Sequence, residues 1–163
     1  MDLKSTKDIQ LKFTKKPLPN GDLVKSIEKL LLELKSICLD STLLYQLTDK
    51  QKSSQSQLRG LDSELKVIVE LSRRGWNLIQ HRLKTPFGEC DLLFQKEKEI
   101  LMIEVKSVSK LQKDFLLNRL SWKQRQRLRN IHFYLHEKKQ TPIRAGLAFV
   151  DSLGKILWLP FDS

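Results

Sequence analysis

The sequence predicts a mixed α/β domain: a helix, a three-strand meander, a helix, a strand and an extra C-terminal strand, all preceded by a helical hairpin. Three stretches predict it: alternating apolar residues between 89 and 105, a helical stripe between 60 and 74, and an apolar run from 142 to 150. A two-residue repeat is typical of strands, and a repeat near 3.6 residues is typical of helices. We therefore expect an appendage at residues 1–57 and the α/β domain at residues 58–163.

The predicted appendage has three parts. Residues 1–19 form a basic arm, and polar residues 51–57 are interpreted as a linker. Between them lies a helical hairpin whose second helix begins near Ser41. The stripe that predicts its first helix consists of Leu23, Ile27, Leu30, Leu31, Leu34 and Cys38. Because such a stripe is normally buried, we expect the hairpin to dock within the chain or to form a homodimer.

The α/β domain begins with a helix at residues 60–74, which Gly75 caps. Trp76 to Arg82 predicts the first strand, and residues 89–106 supply the second and third. A basic segment then leads to a helix at residues 119–137. Strands at residues 142–150 and 156–159 complete the domain.

The hairpin between Gly88 and Ser107 is the feature around which the prediction is built. In its second strand Leu101, Ile103 and Val105 alternate with Met102, Glu104 and Lys106. A turn between Glu97 and Lys98 would pair residues whose numbers add to 195. Asp91 would then lie opposite Glu104, and Lys106 would lie two residues along on the same face.

Two opposed carboxylates repel each other, so this pair needs a compensating cation. Carboxylate oxygens are ligands that divalent cations such as Mg²⁺ and Mn²⁺ prefer. A lysine beside such an ion would orient a water molecule or stabilise developing negative charge. The alternative is that the three residues are ordinary charges on the solvent face of a hairpin.

These residues resemble the motifs of a known nuclease superfamily. The matching pieces are Gly60 and Glu64, Gly75-Trp76, Gly88-Glu89-Cys90-Asp91, Glu104-Val105-Lys106-Ser107 and Trp122-Lys123-Gln124. The pattern is similar to the PD-(D/E)XK nucleases and closest to their YraN-like bacterial branch, which is related to archaeal Holliday-junction resolvases. The resemblance covers residues 59–163 and implies a restriction-endonuclease-like core.

The resemblance also implies an activity, namely the Mg²⁺- or Mn²⁺-dependent hydrolysis of phosphodiester bonds in DNA, with branched or structured DNA as one substrate class. Asp91, Glu104 and the backbone carbonyl of Val105 would hold the metal. Glu64 would be an auxiliary acid, and Lys106 would orient water or neutralise the transition state.

The helix at residues 119–137 adds a polar residue and a basic surface to this picture. Gln124 lies on the stripe of Leu120, Leu128, Ile131 and Leu135, where an unpaired amide costs about 1–3 kcal/mol. We expect the metal site to be its partner, with Lys123 holding the phosphate. The predicted nucleic-acid surface consists of Arg119, Trp122, Lys123, Arg125 and Arg127. The alternative is a solvated basic face.

Charge and composition indicate which class of partner the protein binds. The net charge is +11, and residues 59–163 carry 20 Lys and Arg against 12 Asp and Glu. This excess favours a polyanion, with DNA first and RNA not distinguished from it. No apolar run reaches the roughly 18 residues of a membrane span, and Cys38 and Cys90 are interpreted as reduced, which favours the cytoplasm.

Two other functions stay open at this point. One is a nucleic-acid-binding module on a nuclease scaffold without catalysis of its own. The other is an interaction protein that acts through the helical hairpin while the second domain is passive.

Overall fold

The computed structural model describes residues 21–36, 54–111, 116 and 120–161. Within them the elements are, in order, α1 (Gly21–Ser36), α2 (Gln55–Arg73), β1 (Asn77–Thr85), β2 (Gly88–Lys96), β3 (Glu99–Ser107), α3 (Trp122–Lys139), β4 (Ile143–Val150) and β5 (Ile156–Pro160). The predicted basic arm, Cys38, the helix near Ser41 and Arg119 lie outside the described residues.

Helix α2 begins within the stretch that was interpreted as linker. Ser54 is its N-cap, and its side chain accepts a hydrogen bond from the backbone N–H of Gln57. The Gln57 side chain in turn accepts one from the backbone N–H of Ser54, which completes a capping box. The linker interpretation was therefore wrong for residues 54–57, because polar residues at these positions cap a helix.

The hairpin of β2 and β3 has the predicted register. Leu92 pairs with Ile103, and Lys96 pairs with Glu99. Glu97 and Lys98 therefore form a two-residue turn, and the positive φ of Glu97, 53°, matches the twist that such turns require. The pairing confirms that residues whose numbers add to 195 lie opposite each other.

The five strands form one sheet in the order β1-β2-β3-β4-β5. β3 and β4 are parallel, and the other neighbouring pairs are antiparallel. Helix α3 is the crossover between the two parallel strands. This arrangement confirms the predicted mixed α/β fold with its restriction-endonuclease-like core and extra C-terminal strand.

The first strand is longer than predicted. It continues to Thr85, although Lys84-Thr-Pro-Phe87 was expected to be a polar loop. The Thr85 hydroxyl donates to the carbonyl of Gly88 and accepts from the N–H of Phe87, and these bonds close a tight turn to β2. The helix predicted at residues 119–137 begins later, at Trp122, because Ser121 caps it.

Helices cover both faces of the sheet. On one face α2 packs with Leu92, Phe94 and Ile103, and α1 packs on α2. On the other face α3 packs through Leu128, Ile131 and Leu135. The α1 stripe buries Ile27, Leu31 and Leu34 in the core that contains α2, so this part of the predicted hairpin docks within the chain. None of the helices that the structure describes is long and apolar enough to cross a membrane.

Candidate active site

The predicted pair of carboxylates lies where β2 begins and β3 ends. The β2–β3 pairing ends at Leu92 and Ile103, and Asp91 and Glu104 are the next residues on the two strands. The charge of Glu104 acts on Asp91, so the two carboxylates lie near each other. The Oδ2 atom of Asp91 accepts a hydrogen bond of 2.8 Å from the backbone N–H of Val105. Glu104 is only 3% exposed. The hairpin therefore brings together the two acids that the sequence singled out.

The electrostatics of Asp91 are unfavourable for a charged carboxylate. Burial raises its pKa, and the nearby charge of Glu104 raises it further, to about 7. The hydrogen bond from Val105 and the charge of Lys106 oppose this rise without cancelling it, and Glu64 adds to it. A positive charge placed at Asp91 would stabilise the ionised pair.

Two cations contact Glu104, and both bind the same oxygen. Lys106 Nζ donates to Oε1 at 2.6 Å, and Arg127 Nη2 donates to Oε1 at 2.8 Å. The second oxygen, Oε2, is buried without a hydrogen-bond partner among the described residues. An unpaired buried carboxylate oxygen is costly, and it is available to a ligand.

Glu64 on α2 is the third acid that the sequence proposed, and it is already paired. His81 Nε2 donates to its Oε2 at 2.5 Å, while Arg82 donates from Nε at 3.1 Å and from Nη2 at 2.8 Å. Burial raises the pKa of Glu64, but these hydrogen bonds and charges outweigh it and leave the pKa below its ordinary value. Glu64 is therefore a buried, ionised and compensated acid.

Arg82, which the sequence analysis missed, connects this acid to the strand pair. His81 pairs with Leu92 and Leu83 with Cys90, so Arg82 lies opposite Asp91. Its φ is 51°, an unusual value for arginine that persists only where surrounding contacts hold it. Burial lowers the pKa of Arg82, but the hydrogen bond to Glu64 and the charges of Glu64, Glu89 and Asp91 outweigh it and leave the pKa above its ordinary value. In the sequence, the only signal for this contact was a His-Arg pair in a strand of mixed polarity.

Arg127 reaches Glu104 because the turn between β1 and β2 leaves room for it. Gly88 has a φ of 130°, and a Cβ built on it would lie 3.0 Å from Arg127 Cδ. A side chain at position 88 would therefore push the arginine aside. Arg127 was predicted to belong to the nucleic-acid surface, and in the structure its guanidinium binds Glu104.

Gln124 has a different partner from the one that the sequence analysis assigned to it. Its side-chain carbonyl accepts a hydrogen bond of 3.0 Å from the backbone N–H of Ser121 and completes a capping box at the start of α3. This partly buried amide therefore has a polar partner, as expected, but the partner is the N-cap and not the carboxylate pair. The Ser-x-x-Gln spacing at residues 121–124 was the signal for it.

The other predicted nucleic-acid contacts lie near the start of α3. Trp122 is 72% exposed, and Lys123 is also exposed. Arg125 is half-buried, and its Nε donates to the carbonyl of Leu120 at 3.3 Å. The helix therefore presents an indole and a cation to solvent within one turn of each other.

Within the described ranges, no group of three or more His, Cys, Asp or Glu side chains is arranged as a metal site. The Asp91–Glu104 pair supplies two carboxylates, and Glu64 is held by His81 and Arg82. Mg²⁺ is commonly bound by one or two carboxylates together with waters and substrate phosphates. The pair fits such an open site and does not fit a closed cage of side chains.

Comparison with known proteins identifies one family. A family model described as uncharacterised protein family UPF0102 matches residues 63–150. A UPF0102 protein of Shewanella woodyi is 38% identical over 92 residues, which are 55% of this chain and 78% of that relative. A UPF0102 protein of Ruegeria pomeroyi is 29% identical over 112 residues, which are 64% and 87% of the two chains. A UPF0102 protein of Prochlorococcus marinus is 40% identical over 53 residues, which are 32% of this chain and 42% of that relative. The chain therefore spans less than half of that relative's length.

Proposed function

The chain belongs to the uncharacterised protein family UPF0102, and we propose that it is a divalent-metal-dependent nuclease that hydrolyses phosphodiester bonds in DNA. Membership confirms the resemblance to the YraN-like branch of the PD-(D/E)XK superfamily. The names of the relatives state no activity, so the proposal depends on the chemistry of the site. Branched or structured DNA is the substrate class that the resemblance favours.

One observation carries the proposal: Asp91 and Glu104 repel each other in a partly buried site. Burial and the Glu104 charge raise the pKa of Asp91 to about 7, while Glu104 Oε2 is buried without a partner in the described part of the chain. A purely structural pair would gain stability by replacing one acid. A bound divalent cation accounts for both features, because it supplies the missing positive charge.

The residues that would hold this ion are Asp91, Glu104 and the backbone carbonyl of Val105. An ion bound there would polarise the scissile phosphate and lower the pKa of a bound water. The protein contributes the rigid register of β2 and β3, which fixes the two carboxylates relative to each other. Glu64, held by His81 and Arg82, would add negative potential next to Asp91 and strengthen the attraction for a cation.

Lys106 is the residue best placed to act on the phosphate. Its ammonium lies 2.6 Å from Glu104 Oε1, and its side chain is 30% exposed, so it borders both the buried acid and solvent. An ammonium at this position would orient the attacking water or neutralise charge that develops on the phosphate oxygens. Loss of this charge should therefore reduce turnover more than substrate binding.

The start of α3 supplies the surface for the nucleic acid. The exposed Trp122 would stack on a base or sugar, and Lys123 would contact a phosphate. The basic excess of residues 59–163 would attract the polyanion over a longer range. The buried free thiol of Cys90 is in keeping with a reducing compartment, and we propose the cytoplasm.

A cleavage panel tests the proposal. Branched, linear duplex and single-stranded DNA, with RNA for comparison, are incubated with Mg²⁺, Mn²⁺ or EDTA. We expect metal-dependent cleavage that Asp91→Ala or Lys106→Ala reduces by about 10³-fold or more. Glu99→Ala is the matched control, because Glu99 is an exposed acid on the same strand β3. Undiminished cleavage in the Asp91→Ala protein would disprove the assignment.

A second candidate function is a nucleic-acid-binding module on a nuclease scaffold that has no catalysis of its own. The ion pairs of Glu104 with Lys106 and Arg127 favour it, because they compensate this carboxylate without a metal. It predicts DNA binding that falls steeply with salt and is the same with Mg²⁺ and with EDTA. The carboxylate pair argues against it, since a binder of polyanions gains nothing from opposed acids.

A further inference from the structure

Arg82 and Arg127 each bind a buried glutamate, and they do so differently. Arg82 donates two hydrogen bonds to Glu64, from two nitrogens to the two carboxylate oxygens, at 3.1 and 2.8 Å. This is the two-point geometry in which a guanidinium and a carboxylate match best. Arg127 reaches Glu104 with one nitrogen on one oxygen, at 2.8 Å.

In the contact between Arg127 and Glu104, each side chain has a polar atom without a hydrogen-bond partner among the described residues. Arg127 Nε is buried and has no hydrogen-bond partner among the described residues, and the same holds for Glu104 Oε2. The oxygen that Arg127 does bind is shared with Lys106. Arg127 therefore supplies charge to Glu104 without forming the complete ion pair that Arg82 forms with Glu64.

The path of Arg127 is nevertheless fixed. Its side chain runs past Gly88, where an added Cβ would meet Cδ at 3.0 Å. Its side chain is 34% exposed, so the guanidinium borders solvent while Glu104 is almost fully buried. The arginine side chain is therefore more accessible to an incoming phosphate than the carboxylate that it binds.

We propose that Arg127 is the built-in counter-cation of Glu104, and that it exchanges this carboxylate for the phosphodiester when a divalent ion binds the Asp91–Glu104 pair. The inference rests on the proposed function and deepens it. A metal ion on the unpaired Oε2 would repel the guanidinium on Oε1, so metal binding would weaken the contact of Arg127 with Glu104 and favour its release. The displaced group then has donors available in the fork geometry that suits phosphate oxygens.

This exchange predicts opposite effects on metal affinity and on cleavage. In Arg127→Gln the competing charge is absent, so Mn²⁺ should bind about tenfold more tightly. Cleavage at saturating Mn²⁺ should fall about 10²-fold, because the phosphate has lost a charged donor. A residue that only supports the fold would weaken both properties together.

Titration calorimetry with Mn²⁺ alone, at low salt and pH 8, measures the affinity for wild type, Arg127→Gln, Arg129→Gln and Asp91→Ala. Arg129→Gln removes the same charge from an exposed position on the same helix and should leave affinity and cleavage within about twofold. If the glutamine variant does not unfold cooperatively, Arg127→Lys replaces it. A lysine keeps the charge without the fork, so metal affinity should stay near wild type and cleavage should fall.

The outcomes separate the inference from the proposed function. Tighter Mn²⁺ binding with slower cleavage in Arg127→Gln supports the exchange. Equal or weaker Mn²⁺ binding in that variant overturns the exchange, while Asp91-dependent binding in wild type would still support the metal site. If wild type binds Mn²⁺ no better than Asp91→Ala does, the metal site and the exchange both fail.

Discussion

Two clusters of acids differ in the described part of the chain: the Glu64 cluster has its counter-charges in place, and the Asp91–Glu104 cluster does not. Glu64 lies between His81 and Arg82, and their hydrogen bonds leave its pKa below the ordinary value in spite of burial. Asp91 and Glu104 lie together at the strand ends, where burial and mutual repulsion raise the pKa of Asp91 to about 7. The two cations nearby share one oxygen of Glu104.

This difference separates a structural ion pair from a site that is arranged for a ligand. Where a buried acid serves the fold, the chain provides its counter-charge in full. Where two acids are left in conflict, the fold carries a cost that only an added cation removes. Each of the following changes alters one cluster or spares both.

The largest effect on stability should come from Glu64→Gln. The change keeps the shape of the side chain but leaves the guanidinium of Arg82 and the imidazole of His81 without their anionic partner. Breaking a buried ion pair in this way typically costs about 3–5 kcal/mol. Urea unfolding of the variant, compared with the exposed Glu99→Gln, measures the loss. A difference below about 1 kcal/mol would mean that the Glu64 cluster does not stabilise the fold.

Asp91→Asn should have the opposite effect on stability: it should stabilise the metal-free protein at alkaline pH. The pKa of Asp91 is about 7 in the folded state and near 4 in the unfolded state. The contribution of Asp91 to stability is therefore fully present at pH values below about 4. That contribution is lost as pH rises through 7. Wild type in EDTA should lose on the order of 2–4 kcal/mol between pH 5 and pH 8.5.

The asparagine variant should lack this slope and be the more stable protein at pH 8.5. Guanidinium unfolding at a series of pH values compares the two proteins. Glu64 does not contribute to this pH dependence, because its pKa is lowered and it titrates in more acidic solution. Parallel pH profiles for the two proteins would show that Asp91 is not under electrostatic strain.

The smallest effect should come from Trp122→Ala, which lies outside both clusters. The indole is 72% exposed, so its removal should leave the unfolding free energy within about 0.5 kcal/mol. Binding to single-stranded DNA should weaken by about 1–3 kcal/mol, the usual value for one stacked base. Fluorescence anisotropy with a labelled oligonucleotide measures it, and unchanged affinity would remove Trp122 from the nucleic-acid surface.

The carboxylate pair could be predicted because it depends on local rules. A two-residue turn at Glu97 and Lys98 fixes the hairpin register, and this register places Asp91 and Glu104 next to the last pair, Leu92 and Ile103. Strand periodicity likewise located β3 and β4 to within about two residues. These features depend on interactions between neighbours in the chain or across one turn.

The partners of the acids could not be predicted in the same way. Whether Gln124 or Arg127 reaches Glu104 depends on how α3 is rotated and placed over the sheet, and both residues lie on the same side of the helix. The contacts of Glu64 with His81 and Arg82 depend on the packing of α2 against β1 and on the unusual backbone of Arg82. Tertiary packing decides such contacts, and residue spacing leaves them open.

The central claim is that the Asp91–Glu104 pair binds an added divalent cation, and thermal unfolding with and without Mg²⁺ tests this claim without any knowledge of the substrate. Binding to the folded state raises the Tm, and a gain of about 1 kcal/mol corresponds to about 2–4 °C in a chain of this size. At pH 8 we expect roughly 10 mM Mg²⁺ to raise the Tm of wild type by at least this much. At pH 5, where Asp91 is protonated, the rise should be smaller. Asp91→Asn should show no such rise, whereas an equal rise in both proteins, or none in wild type, would contradict the claim.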